Sequence, residues 1–137
     1  MKDDCIFCKL ANGIYPTSTV YEDEDFRAIL DIEPAAPGHV LLIPKQHADN
    51  LFGLEEELAA KALPVAKKIA LAMKKALSCD GVNLLQNNGT AAWQSVFHFH
   101  IHLIPRYDGD KLVVPWPKSA YADGEAALIA KKIAAQL

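Results

Sequence analysis

Histidines alternate with apolar residues in one short run, Phe97 to Ile104 (FHFHIHLI). Side chains of a β-strand point to opposite faces with a period of two, so the run predicts a strand with all its imidazoles on one face. Those imidazoles belong to His98, His100 and His102. The apolar residues Phe99, Ile101 and Leu103 then face the core. A one-residue slip would bury the imidazoles instead, so the register is strongly specified and the chain must contain a half-buried sheet.

Four further segments are rich in β-branched and apolar residues, and Gly, Pro, Asn or Asp bounds each of them. With the histidine run, the predicted strands are Thr19 to Glu22, Phe26 to Leu30, His39 to Pro44, Val82 to Gln86 and Phe97 to Ile104. A charged turn joins the first two strands, and prolines precede the third. These connections predict an antiparallel meander of five strands.

Two segments have helical periodicity. Leu54 to Leu77 carries apolar residues at helical spacing, with lysines on the other side, and predicts a long amphipathic helix between strands 3 and 4. Pro64 lies inside it, where we expect a kink or a break into two helices. Ala126 to Gln136 predicts a C-terminal helix whose apolar face could pack on the sheet or on a partner chain. The fold class is therefore α+β.

The chain length and composition predict one domain over residues 1–137. Its motifs lie in a core of about 5–106, followed by an extension and helix over 107–137. With 51% apolar residues the chain can bury a core without disulfides. The net charge of −3 gives no broad attraction to a nucleic-acid backbone or an anionic membrane, so we expect neither as a partner. The sequence shows neither the basic and apolar N-terminal stretch of a signal peptide nor an apolar segment long enough to span a membrane. This predicts a cytoplasmic protein.

Three interpretations of the histidine run are open. Solvated surface histidines on an edge strand are the simplest. His-x-His on a strand can also aim two imidazoles at one zinc or copper ion. A neutral imidazole can instead attack phosphorus, if its other nitrogen is held in one tautomer. The amide and hydroxyl donors that precede the run, in Asn87 to Thr90 and in Gln94-Ser95, favour the nucleophile because they could cradle a phosphate.

The segment Gln94 to Ile104 (QSVFHFHIHLI) resembles the signature of the histidine triad (HIT) family and is most similar to its Hint-like branch. Tyr21 to Glu24, Leu30 to Ile32 and Pro37 to His47 resemble the family as well. The resemblance runs from Cys5 to about Arg106, with the stretches in the expected order. It implies the HIT-like fold and a nucleotide hydrolase or transferase.

The resemblance implies a mechanism in which His100 attacks the α-phosphorus and forms a nucleotidyl-histidine that water hydrolyses. His102 and His39 would flank the phosphate, and Ser95 would lie near the leaving group, where a hydroxyl can relay a proton. The expected substrate is a purine nucleotide of the phosphoramidate type. Alternatives are a dinucleoside polyphosphate hydrolase, a nucleotide-binding or interaction module with incidental hydrolysis, and a metalloprotein that uses the triad itself as its metal site.

By the same resemblance, a nucleotide would contact three groups of residues. Asp31 would accept the ribose hydroxyls, since a carboxylate recognises a cis-diol well. Apolar residues would sandwich the base, and these are Phe7, Leu10, Ile29 and Ile32. The remaining contacts, on the phosphate side, would come from Asn87, Gln94, Ser95, Val96, His100 and His102.

The pair Cys5 and Cys8 has metal-ligand spacing, and a tetrahedral zinc would need two more ligands. Bacterial histidine triad proteins that the chain resembles have a Cys, Cys, His, His site, which implies His47 and His98 here. Such a site would be structural. Reduced packing thiols are the alternative, whereas a redox pair is expected at a helix start after a strand, which the N-terminus does not suggest.

The chain departs from the pattern at Trp93, because many relatives have glycine before the Gln-Ser pair. A tryptophan there would alter the loop shape and the substrate fit, or its ring would instead cover the pocket or touch a neighbouring subunit. The family resemblance also implies a homodimer. In similar proteins a segment like Val113 to Pro117, with Trp116, reaches toward the partner's site.

Overall fold

Five antiparallel strands form one sheet in the computed structural model, which describes residues 1–113 and 117–137. The strands are β1 (Thr19–Glu22), β2 (Phe26–Leu30), β3 (Val40–Pro44), β4 (Gly81–Leu85) and β5 (Ile101–Arg106). The helices are α1 (Ile6–Ala11), α2 (Glu56–Leu77) and α3 (Glu125–Ala134). The predicted α+β class with a five-stranded antiparallel sheet is confirmed, and the six-residue helix α1 is an addition that the sequence did not indicate.

The strand order β1-β2-β3-β5-β4 departs from a strict meander at its last two strands. β5 pairs with β3 on one side and with β4 on the other. The connection between β3 and β4 contains the 22-residue helix α2, so these two strands need not be neighbours as hairpin strands are. The histidine-bearing strand is consequently interior to the sheet rather than at its edge.

The two faces of the sheet are covered by different helices. On one face, Phe99, Ile101 and Leu103 join a buried cluster with the apolar stripe of α2, as the alternation predicts. On the other face, Phe7 and Ala11 of α1 pack against residues of β2 and β3. The imidazoles of the histidine run lie on this second face, since the ring centroids of Phe7 and His100 are 4.9 Å apart.

Helix α2 continues through Pro64, so the alternative of a break into two helices is wrong. Proline removes one backbone hydrogen bond, from position 64 to the carbonyl of Ala60. Both residues are exposed, so water can satisfy that carbonyl. Burial of five side chains along the opposite stripe holds the helix together, and these are Leu58, Ala62, Ala66, Ile69 and Met73.

Strand β5 begins at Ile101, four residues later than the predicted Phe97. The preceding backbone has other partners: the amide of Phe99 donates to the carbonyl of Ala48 at 2.7 Å. Nε2 of the His98 ring also donates to the carbonyl oxygen of Pro44 at 2.8 Å. The alternation of side chains nevertheless persists through this irregular segment, because Phe99 still faces α2.

Helix α3 is exposed along its whole length. Its apolar side chains are 64% exposed at Leu128, 36% at Ile129 and 62% at Ile133. None of the helices in the described ranges is both long enough and apolar enough to cross a bilayer.

Candidate functional site

A cleft of about 740 Å³ opens on the α1 face of the sheet. It brings together nine predicted nucleotide-site residues, which are Phe7, Leu10, Ile29, Asp31, Ile32, Ser95, Val96, His100 and His102. Apolar side chains from α1 and β2 share this lining with the rings of His100 and His102, and the Phe7 ring lies against His100. His39, Asn87 and Gln94, which the sequence also placed at the site, are not among the lining residues.

His100 is buried in the cleft wall, with 7% of its surface exposed. Its Nδ1 lies 2.6 Å from the main-chain oxygen of His98. A carbonyl oxygen only accepts hydrogen bonds, so Nδ1 carries the proton and Nε2 keeps its lone pair. Burial lowers the pKa of His100, which keeps the ring neutral near pH 7. The result is a nucleophilic nitrogen in a single tautomer.

His102 lines the cleft beside His100, with ring centroids 4.9 Å apart. Behind it, Nε2 of His39 lies 2.9 Å from Nδ1 of His102. Burial lowers the pKa of His102 to about 4 and lowers that of His39 as well. Both rings are therefore neutral near pH 7, and His39 acts on the cleft through His102.

Asp31 lines the cleft just beyond the end of β2. Its Oδ1 accepts the backbone amide of Glu33 at 2.9 Å, and its Oδ2 is 3.8 Å from Nε2 of His39. The amide fixes one oxygen and leaves the carboxylate with lone pairs for ribose hydroxyls. Ile32, the next residue, also lines the cleft and is 95% exposed.

A second cluster lies beneath α1, where Cys5, Cys8, His47 and His98 place their ligand atoms within 4.8 Å of one another. The sulfur-to-nitrogen distances are 3.4 Å from Cys5 to His98, 3.5 Å from Cys8 to His98 and 3.4 Å from Cys8 to His47. The two Nδ1 atoms are 3.1 Å apart. A tetrahedral zinc separates a sulfur and a nitrogen ligand by about 3.5 Å and two nitrogens by about 3.3 Å. The four side chains therefore fit zinc.

The protons of the two ligand histidines fit a metal as well. His98 donates from Nε2 to the Pro44 carbonyl, and His47 donates from Nε2 to Oδ1 of Asp49 at 2.9 Å. In a neutral ring each Nδ1 then keeps a lone pair, and burial holds the pKa of His98 at about 4. Two lone pairs that face each other at 3.1 Å repel unless a cation lies between them. A divalent metal would supply that cation and would also deprotonate Cys8, whose pKa burial raises.

The cysteine pair lies at a helix start, contrary to what the sequence suggested. Cys5 is the N-cap of α1, and its Sγ accepts the amide of Cys8 at 3.4 Å. The i, i+3 spacing that suits a metal is also one helical turn, so the pattern did not reveal the helix. Residues 1–5 contain no strand, so the arrangement expected of a redox pair is only half present.

A model of the HIT domain matches residues 12–109. The chain belongs to the histidine triad family. Its sequence is 40% identical to the adenosine 5'-monophosphoramidase of Saccharomyces cerevisiae, over 97% of this chain and 82% of the relative.

Two solved structures support the membership. A crystal structure of a HIT family member from Bacillus subtilis superposes with a TM-score of 0.92 at 42% identity, covering 98% of both chains. A zinc-bound histidine triad protein from Mycobacterium smegmatis superposes at 0.76 with 38% identity, covering 97% of this chain and 95% of that one. The family resemblance seen in the sequence is confirmed.

In this HIT protein Gln94 supports the loop before the triad. Its side chain is buried; Nε2 donates to the carbonyls of Asp49 at 2.6 Å and Val96 at 3.1 Å, and Oε1 accepts the Gly89 amide at 2.8 Å. These bonds join the loop to the neighbouring segment and leave Ser95 and Val96 on the cleft wall. A sequence motif does not distinguish such a support from a ligand contact.

Trp93 does not line the cleft of this HIT protein, and its side chain is 83% exposed. Its backbone lies in the left-handed region, with φ 67° and ψ 21°. That region favours glycine, so the loop keeps the conformation of a glycine position and accommodates tryptophan at a cost. Trp116 lies outside the described residues.

Several residues at the cleft rim escaped the sequence reasoning. Pro16, Thr17 and Ser18 precede β1, and Glu33 lies two residues after Asp31. Loop residues of this kind carry no periodic signal, so only their place in the cleft lining indicates a role.

Proposed function

We propose that this protein hydrolyses a purine nucleoside phosphoramidate in two displacements. Nε2 of His100 attacks the α-phosphorus and forms an N–P bond, while the bond from phosphorus to the leaving amine breaks. The departing amine takes up a proton from solvent, for which Ser95 on the cleft wall is a suitable relay. Water then attacks the same phosphorus and releases a proton to solvent, the electron pair of the N–P bond returns to Nε2 of His100, and a nucleoside monophosphate leaves.

The tautomer of His100 carries this proposal. The His98 carbonyl holds the proton on Nδ1, so the lone pair of Nε2 is available in a neutral, buried ring. The apolar side chains of the cleft suit a base, and the Asp31 carboxylate suits ribose hydroxyls. A relative 40% identical is named an adenosine 5'-monophosphoramidase, which supports the same substrate class.

A metal in the triad itself is the weaker alternative. Ligand atoms of Asp31, His39 and His102 do lie within 4.8 Å of one another. However, the 2.9 Å contact between the two rings has the length of a hydrogen bond, and a shared proton already satisfies both nitrogens. The cysteine-containing cluster offers softer ligands and unprotonated nitrogens, so a metal favours that site.

The test is turnover of adenosine phosphoramidate and of a diadenosine polyphosphate by the wild type and by His100→Ala. We expect preferential release of AMP from the phosphoramidate and loss of turnover in the variant. Rapid acid-free quenching and peptide mass spectrometry should locate a nucleotidyl group on His100. Full activity of His100→Ala would overturn the nucleophile assignment, and preference for the dinucleotide would move the protein to the alternative substrate class. Nucleotide binding without turnover would favour the binding module.

We propose further that zinc occupies the Cys5, Cys8, His47 and His98 cluster. It would be a structural ion, because four protein ligands leave no open position for substrate. It would attach α1, and hence the wall that carries Phe7, to the segment before β5. Elemental analysis should find one zinc per chain in the wild type and in His100→Ala, which serves as the matched control.

We also propose a homodimer. The exposed apolar side chains of α3 support a partner, and an isolated helix of ten residues is marginal in water. Light scattering during size-exclusion chromatography should give twice the mass of one chain, and a mass of one chain would contradict the proposal.

A further inference from the structure

The backbone amide of Ala35 lies 3.0 Å from Nδ1 of His39. An amide N–H can only donate, so Nδ1 of His39 must accept and cannot carry a proton. Ala35 itself is exposed in the loop between β2 and β3, and it is not among the residues that line the cleft. The direction of this one hydrogen bond therefore fixes the tautomer of the His39 ring.

The proton of neutral His39 is then on Nε2, which has two acceptors within reach. Nδ1 of His102 is 2.9 Å away, whereas Oδ2 of Asp31 is 3.8 Å away. The shorter distance is that of a hydrogen bond and the longer one is not. His39 accordingly donates to Nδ1 of His102.

The same argument assigns the His102 ring. Because its Nδ1 accepts from His39, its proton is on Nε2. That nitrogen is the remaining polar atom of a ring that lines the cleft. His102 therefore presents an N–H donor, whereas neighbouring His100 presents a lone pair. Two main-chain groups, the Ala35 amide and the His98 carbonyl, give the two rings opposite roles.

We propose that the Ala35 amide and His39 are positioning groups that hold His102 as a hydrogen-bond donor to a phosphoryl oxygen. This rests on the phosphoryl-transfer chemistry proposed above. Held in this tautomer, His102 cannot take a proton from water at Nε2, so its contribution is to stabilise negative charge on the oxygens at phosphorus.

Nitrogen-15 NMR of the imidazoles tests the tautomers without any substrate. Protonated and unprotonated ring nitrogens differ widely in chemical shift. We expect an unprotonated Nδ1 and a protonated Nε2 in both His39 and His102. His100 should show the reverse, with a protonated Nδ1 and an unprotonated Nε2. A protonated Nδ1 in His102 would overturn the proposal whatever the enzyme's activity.

Two variants of His39 test the consequence for turnover. His39→Gln keeps an amide N–H near the position of Nε2 but cannot exchange protons, and His39→Leu removes the donor. We expect His39→Gln to retain most of kcat and His39→Leu to lose about 10- to 100-fold, the range found when a partner that orients a metal-bound histidine is removed. Equal loss in both variants would show that His39 transfers protons, and the positioning role would fail.

Two variants of Ala35 test the amide itself. Ala35→Pro removes the N–H, and Ala35→Ser keeps it. We expect only the proline variant to lose kcat and to shift the His102 ring nitrogens. If Ala35→Pro does not fold, the His39 pair still decides the question. If the wild type fails to cleave the phosphoramidate, the proposed function fails, while the NMR result still decides whether the amide sets the tautomers.

Discussion

At position 93, glycine should give a more stable protein than alanine, which reverses the usual order of stability for these two residues. The backbone of Trp93 is in the left-handed region, and two backbone hydrogen bonds hold it there. The amide of Trp93 donates to the carbonyl of Thr90 at 3.0 Å, and the amide of Gln94 donates to the carbonyl of Gly89 at 3.1 Å. This conformation costs an L-residue about 1–2 kcal/mol. Glycine avoids that cost but loses about 0.5–1 kcal/mol more than alanine in backbone entropy. Trp93→Gly should therefore be more stable than Trp93→Ala, by about 0.75 kcal/mol from the middle of the two ranges and by about 1.5 kcal/mol at most.

The comparison of two variants isolates the backbone, because both lose the same indole contacts. Urea denaturation followed by far-UV circular dichroism, at one fixed protein concentration, measures the difference. Ala92→Gly is the matched control, since Ser78 and Trp93 are the left-handed non-glycine residues of the described chain. It should lose about 0.5–1 kcal/mol relative to wild type. A Trp93→Ala protein at least as stable as Trp93→Gly would refute the reasoning.

Three further predictions concern the site. Asp31→Ala should raise KM about tenfold or more through lost charge-assisted hydrogen bonds, and steady-state kinetics should show no such rise for a 2′,3′-dideoxynucleoside substrate. Stability should fall as pH drops below about 6.5, because burial holds the pKa of His102 at about 4 and the unfolded chain binds more protons between these values. Urea midpoints measured at about pH 7 and about pH 5 should differ less in His102→Asn than in wild type. Cys8→Ser should lower the zinc content and the melting temperature together, whereas Cys79→Ser, at a buried thiol outside the cluster, should keep its zinc.

The sequence predicted the parts of the fold that depend on local periodicity. The alternation in the histidine run placed Phe99, Ile101 and Leu103 in the core, and the helical spacing of Leu58 through Met73 gave the buried stripe of α2. The bounds of β1 and β2 are also as predicted. Each of these patterns involves residues close together in the chain, so it can be recognised without knowing what packs against them.

The position of β5 between β3 and β4 could not be predicted from such local patterns. Strand order depends on pairing between residues far apart in the chain, such as the pairing of β5 with both β3 and β4. The helical state of residues 6–11 was hidden because the cysteine spacing has two explanations. The early irregularity of the histidine run depends on carbonyls at Pro44 and Ala48, more than fifty positions away in the chain.

By itself the sequence determined which residues have the right chemistry: three imidazoles on one face, a cysteine pair at metal spacing, a carboxylate after a strand. Only the tertiary structure decided what each imidazole does. His98 turns its lone pair to two sulfurs, His100 turns one to the cleft, and His102 presents a proton there. The reason is physical, since a neutral imidazole takes its role from the partner of its other nitrogen. Those partners are the Pro44 carbonyl, the His98 carbonyl and the His39 ring, and packing alone brings two of the three into reach.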